Sequence, residues 1–138
     1  LREGYQQAMR EAGLATRSLI DLDLKHRPDH QQAFAHFTLR QTDRPTAIVT
    51  CGGHEAAAFV VAAMRLGLRM PDDLAVFAVS DEQVQVGGLM VNTALMPYGQ
   101  LARSAVRMLC TKIDRPDRTM APQVLHHRML PGQTVQST

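Results

Sequence analysis

The sequence predicts an α/β fold in which a parallel sheet is built from βαβ units. Three observations carry this. Helical and strand patterns alternate along the chain. Ala47-Ile48-Val49-Thr50-Cys51 reads as a run that fits a strand covered on both faces, typical of parallel sheets, and Leu74 to Val79 reads as a buried strand. The connections are short, which favours right-handed crossovers between neighbouring strands. With two tyrosines, four phenylalanines and no tryptophan, Met, Val, Leu and Ala must fill the core. That suits α/β layers better than a β-sandwich.

The first element is a helix: Tyr5, Met9 and Ala12 recur at helical spacing and Gly13 suits a C-cap. Leu19, Ile20, Leu22 and Leu24, set among Asp21 and Asp23, read as a strand. Asp29 after Pro28 is a good N-cap, with Gln32 placed as in a capping box. Ala33, Phe34 and Phe37 continue that helix. Arg44-Pro45-Thr46 turns into the strand beginning at Ala47, and Gly52-Gly53 ends it. A helix from about His54 to Leu66 follows, with Ala56, Val60 and Met64 on one stripe. Gly67 closes it, and Pro71-Asp72-Asp73 turns into the next strand.

After Ser80 the pattern weakens, and Asp81 to Met90 reads as an amphipathic turn or a loop. Val91 to Leu95 suits a short strand. Pro97 opens a helix running to about Ile113, with Leu101, Ala105, Met108 and Cys110 inward. Asp114 to Pro122 is linker-like, Gln123 to Leu130 suits a last strand, and Pro131 to Thr138 reads as a loose tail.

At 138 residues the chain has the size of one domain, and 45% apolar residues provide for a core. The net charge is +2 with no basic block, so this stretch gives little support to direct nucleic-acid binding. The longest apolar run, Ala56 to Met64, is too short to span a membrane. No segment reads as a signal peptide, although Leu1 is not a natural start and a leader could precede it. Cys51 and Cys110 form no Cys-x-x-Cys pair, which points to reduced thiols in a cytoplasmic protein.

Candidate chemistry is sparse. Gly52-Gly53 follows a strand and opens a helix, where backbone N–H groups can hold an anion or a ligand oxygen. It is not a nucleotide-binding loop. A tight turn needing positive φ would equally account for it. Cys51 beside His54 could suggest a thiol nucleophile and base, but no third group orients them. None of the six histidines has zinc-site spacing: Pro28 separates His26 from His30, and His126 and His127 are adjacent. Ser80, Asp81 and Glu82 lie just past a strand's carboxyl end, where open α/β sheets bind ligands. The plainer alternative is that Asp81 caps the next turn. No cofactor, metal or catalytic residue is assigned.

These residues together resemble the C-terminal part of a lactose/galactose-repressor (LacI/GalR) family regulator. The likeness rests on Gly4-Tyr5 with Glu11-Ala12-Gly13-Leu14, on Arg44-Pro45-Thr46-Ala47, on Gly67 to Val76 with its Pro71-Asp72-Asp73, and on Thr93 with Pro97. It implies the periplasmic-binding-protein-like fold, a small-molecule effector in a cleft between two lobes, and a homodimer. Ligand contacts would fall at Gly52, Gly53, Ser80 and Asp81. Interface candidates would be Ala56, Phe59, Val84, Val86, Leu89 and Met90. DNA would be read only by an N-terminal helix-turn-helix outside this sequence, and no membrane is involved.

The resemblance implies an incomplete receptor, mainly its C-terminal lobe. Residues 1–91 would form that lobe, and residues 92–138 a crossing segment whose helix and strand belong to the other lobe. That helix would then pack on a partner chain, repack on this lobe or be poorly ordered. Three departures stand out. The family commonly has Asn-Asp at Gly52-Gly53, Gly-aromatic-Asp-Asp at Ala78-Val79-Ser80-Asp81, and an arginine at Leu1. The expectation is therefore that common sugars bind weakly or not at all. A solute-binding protein of a sugar transporter is the alternative reading of the same fold. An enzyme using Cys51 and His54 is a more distant one.

Overall fold

The segment from Ala47 to Ser80 folds as the expected βαβ unit. Its first strand, β1 (Ala47–Thr50), lies parallel to β2 (Ala75–Ser80), with Ala47 opposite Ala75 and Thr50 opposite Ala78. Between them runs α3 (Gly53–Arg65). The computed structural model describes residues 2–16 and 28–136. Before β1 come α1 (Arg2–Glu11) and α2 (Pro28–Leu39). After β2 come β3 (Gln85–Val86), β4 (Leu89–Met90), β5 (Asn92–Leu95), α4 (Tyr98–Asp114) and β6 (Arg128–Leu130). The strand expected at Leu19 to Leu24 lies outside the described residues.

The sheet has the order β1-β2-β5-β6. β5 is parallel to β2, with Phe77 opposite Asn92 and Ser80 opposite Leu95, and β6 is antiparallel to β5. The fold is therefore a mixed α/β arrangement on a mainly parallel sheet, as the sequence predicts.

The core lies between β2 and α3. Ala56, Val60 and Ala63 of α3 are fully buried, as are Leu74, Val76 and Ala78 around β2. Alanines on that stripe let the helix axis approach the sheet closely. The larger side chains each contribute roughly 1.5–3 kcal/mol on burial. A second layer forms where α2 packs on α3, with Ala35 and Leu39 buried. The rings of Phe34 and Phe59 meet edge to face at 6.2 Å and 81°, a favoured aromatic geometry.

Gly67 ends α3 as expected. Its φ of 69° is the left-handed conformation that glycine adopts without penalty. The N–H of Leu68 donates to the Ala63 carbonyl and that of Gly67 to Met64, closing a Schellman motif. The following turn is locked by Arg69 and Asp73. The Arg69 side chain donates to both Asp73 carboxylate oxygens at 2.8 and 2.9 Å, and the Arg69 backbone N–H adds a third bond. Arg44 donates to the Asp73 carbonyl at 2.8 Å, joining the start of β1 to the start of β2.

Several expectations are corrected. The run of β1 is not covered on both faces among the described residues. Ala47 is exposed, Ile48 and Val49 are half-buried, and β2 alternates half-buried and buried positions. On β2 the face bearing Val76, Ala78 and Ser80 is the buried one.

Asp81 to Met90 is neither a loop nor an amphipathic turn. It contains a β-hairpin in which Gln85 pairs with Met90 and Val86 with Leu89. Gly87 and Gly88 both have positive φ, as a two-residue primed turn requires.

The helix after Pro97 forms, but no residue of α4 is buried. Leu101 is 50% exposed, and Ala105 and Cys110 are exposed rather than inward. α4 packs on no other described helix or strand, so it does not repack on this lobe.

The described part of the tail, residues 131–136, is anchored rather than loose. Thr134 is fully buried and bonded to both Val76 and Asn92. β5 and β6 lie in the same sheet as β1 and β2.

Candidate functional site

Parallel pairing of β1 with β2 brings their carboxyl ends to one edge of the sheet. There Thr50 leads into Gly52-Gly53 and Ser80 leads into Asp81. β5 ends beside them, and the Met96 N–H donates to the Ser80 carbonyl at 2.7 Å. The crevice expected of an open α/β sheet therefore falls among these residues.

Gly53 and Ser80 are close neighbours. A Cβ on Gly53 would lie 3.2 Å from Ser80 Oγ and 3.0 Å from a Val84 methyl. Glycine at 53 thus permits the first turn of α3 to seat against the end of β2. Positive φ is not the reason for either glycine. Gly52 is extended, with φ 178°, and Gly53 is not among the positive-φ residues. A Cβ on Gly52 would meet only the flexible carboxylate of Glu55.

α3 begins without a side-chain cap. Its first backbone N–H groups can therefore take a ligand oxygen, favoured by the helix dipole. The Thr50 hydroxyl does not compete for them; it donates to the Gly52 carbonyl at 3.0 Å.

Ser80 is 4% exposed. Its hydroxyl donates to the Asp81 carboxylate at 3.3 Å and accepts from the Glu82 N–H at 3.4 Å. Ser80, rather than Asp81, caps the turn. Asp81 is exposed, while Gly52 and Gly53 are half-buried. The crevice thus offers an exposed carboxylate and backbone donors, with a serine hydroxyl already engaged beneath them.

The other sequence candidates fall elsewhere. Ala56 and Val84 belong to the core of this chain, so their side chains are not free to meet a partner. Phe59, Val86 and Leu89 pack half-buried against that core, and Met90 is half-buried. Cys51 and His54 are both exposed. Cys110 is far along α4, remote in sequence from the crevice. Among the described residues no group of His, Cys, Asp or Glu could hold a metal ion, and no buried polar side-chain atom lacks a partner. An open depression lined by Ala33, His36, Phe37, Arg40 and Gln41 lies on α2 and the turn after it. Leu1 and His26 lie outside the described residues.

The strongest electrostatic feature is structural. Hydrogen bonds from the Arg69 side chain, then from its backbone N–H, hold the Asp73 carboxyl well below the usual carboxylate range. Asp73 in turn raises Arg69.

In α/β folds of this kind ligand sites lie at the carboxyl ends of the strands. Residues 1–135 match the periplasmic binding protein-like domain family, and the chain belongs to that family. The proteins it is similar to include transcriptional repressors and LacI family regulators. The chain is 29% identical over 111 residues to the HTH-type transcriptional repressor PurR of Pectobacterium atrosepticum, covering 80% of this chain and 33% of that protein. It is 27% identical over 124 residues to the ribose operon repressor of Haemophilus influenzae, covering 89% and 37%. A LacI family transcriptional regulator from Bifidobacterium animalis subsp. lactis shares the fold, with a TM-score of 0.81 at 19% identity over 97% of this chain and 48% of that one. The chain thus spans about a third of the length of these curated relatives.

Proposed function

We propose that this chain is the effector-sensing part of a LacI-type transcription regulator. One observation carries the reading: Gly53 and Ser80 meet at the carboxyl ends of two adjacent parallel strands, beside the uncapped start of α3. The ligand is a small polar molecule held by backbone N–H groups near Gly52 and Gly53 and by the Asp81 carboxylate. A carboxylate accepting ligand hydroxyls or amines makes charge-assisted hydrogen bonds. Ser80 shapes the floor of the site.

Binding biases an equilibrium between two arrangements of the receptor, which a separate DNA-reading headpiece outside this sequence would register. The protein acts by binding, without catalysis, and works in the cytoplasm. No described helix is long and apolar enough to cross a membrane.

The contact surface of the homodimer narrows to Phe59, Val86, Leu89 and Met90, because Ala56 and Val84 are core residues. α4, with Leu101, Val106, Leu109 and Ile113 exposed, belongs with a second lobe or a partner.

Titration calorimetry with a panel of pentoses, hexoses and purine bases tests the ligand reading. An ordinary hexose binds weakly or not at all, because serine at position 80 supplies no carboxylate. Micromolar affinity for glucose or galactose overturns that part of the account.

A further inference from the structure

The hairpin formed by β3 and β4 pairs only two residues on each side. An isolated hairpin of that size is marginal in water, so something else must hold it. Val86 and Leu89 pack half-buried against the core, and Gly87 rests near Met64 of α3.

Just outside the paired residues the Val91 N–H donates to the Val84 carbonyl at 2.9 Å, and further ties run to the C-terminal segment. The Gln133 N–H donates to the Met90 carbonyl at 2.7 Å, and the Gln133 side-chain oxygen accepts from the Met90 N–H at 2.9 Å. Gln83, in the loop between Ser80 and the hairpin, donates to the Pro131 carbonyl at 3.1 Å. Thr134 then anchors the segment in the sheet through Val76 and Asn92.

We propose that residues 131–134 form a clasp that holds the hairpin and the crevice loop after Ser80 as one unit. Gln83 and Gln133 are its two fastening points. β6 ends one residue before Pro131, so a shift of β6 relative to the sheet pulls on the Gln83 side of the clasp. The crevice loop is thereby linked to the chain that leaves the lobe through α4. The reading of the crevice as an effector site gives this link its regulatory meaning, but the clasp itself is testable without any ligand.

The test is residue-resolved amide hydrogen exchange on the full chain, comparing wild type with Gln133→Ala, Gln83→Ala and Gln133→Glu. Gln133→Ala should speed exchange at Met90 and Val86 by about threefold to tenfold, the factor expected from one net hydrogen bond. Val60 on α3 should keep its protection. Gln83→Ala should have a similar effect on the amides of Glu82 to Gln85. Gln133→Glu retains the acceptor for the Met90 N–H and should restore wild-type protection there. Unchanged hairpin exchange in both alanine variants overturns the clasp. So does a loss of protection that extends equally to Val60, because the hairpin would then be no separate unit. The predicted exchange changes together with no response of the wild-type chain to any sugar or purine would count against the effector reading and leave the clasp standing.

Discussion

The hydroxyl of Thr134 donates a 2.6 Å hydrogen bond to the backbone carbonyl of Val76. The Thr134 carbonyl accepts from the Val76 N–H at 3.0 Å, so one residue of the C-terminal segment satisfies both backbone groups at the start of the central strand. The same hydroxyl accepts from the Asn92 N–H at 3.1 Å, and the Asn92 side chain accepts from the N–H groups of Thr134 and Val135. The sheet's β2 and β5 are in this way stitched together at their amino ends.

Replacing Thr134 by valine keeps the backbone bonds and removes those of the hydroxyl. It leaves the Val76 carbonyl and the Asn92 N–H without that partner in a buried place. The expected cost is about 1–3 kcal/mol, read as a lower denaturation midpoint with an unchanged slope. A midpoint within error of wild type would mean that the segment contributes little to the fold.

The Arg69–Asp73 pair makes a pH prediction. The folded-state pKa of Asp73 is lowered, so its contribution to stability is present above the unfolded value of about 3.9. That contribution fades as the pH falls through the lower folded value. Asp73→Asn should therefore be less stable than wild type near neutrality, and the difference should shrink below about pH 4. A difference that stays constant down to the acid transition would contradict the assignment. Because the pair is solvent-accessible, the effect is small.

Gly52 and Gly53 should respond differently to substitution. A side chain at 52 displaces only the mobile Glu55 carboxylate, so Gly52→Ala should change stability by no more than about 0.5 kcal/mol. Gly53→Val forces atoms against Val84 and Ser80 and should cost about 1–3 kcal/mol through overpacking. Equal effects at the two positions, measured by thermal or chemical unfolding, would argue against the close approach of α3 to β2.

Gly87→Ala tests the hairpin turn. Its φ of 56° and the nearby Met64 methyl make any side chain strained there. The expected loss is about 1–2 kcal/mol from the left-handed backbone alone. Most of it should appear as local fraying of residues 85–90, visible as lost cross-strand NOEs between Val86 and Leu89. Intact cross-strand NOEs at full stability would remove the turn from the account.

Much of the scaffold is legible in the sequence, for physical reasons. Long, strongly patterned segments declare themselves: α3 by its alanine and valine stripe and Gly67, β2 by its apolar run after Pro71-Asp72-Asp73. The hairpin escapes the sequence reading because Val86, Leu89 and Met90 read as interface candidates, although Gly87-Gly88 between Val86 and Leu89 is a turn signal. Burial of Thr134 could not be read locally, since its partners Val76 and Asn92 lie 58 and 42 residues away. The inward face assigned to α4 followed from its periodicity, but periodicity does not say whether a covering surface is present.

The candidate crevice was legible as a location and less so as chemistry. A serine at a strand's carboxyl end looks available for ligand until its neighbours are known. Asp81 and the Glu82 N–H occupy its hydroxyl, and that local bonding is not written in the residue type. The glycines before α3 looked like a conformational requirement at positive φ, whereas Gly53 answers instead to the approach of Val84 and Ser80.

The most direct test of the central claim is amide chemical-shift mapping of the labelled protein against ribose, glucose, galactose and purine bases. The account predicts saturable shifts centred on Gly52, Gly53, Ser80 and Asp81 with a small polar compound other than a hexose. Shifts centred on the α2 depression around His36 and Phe37, or no response at the crevice with any of these compounds, would contradict it.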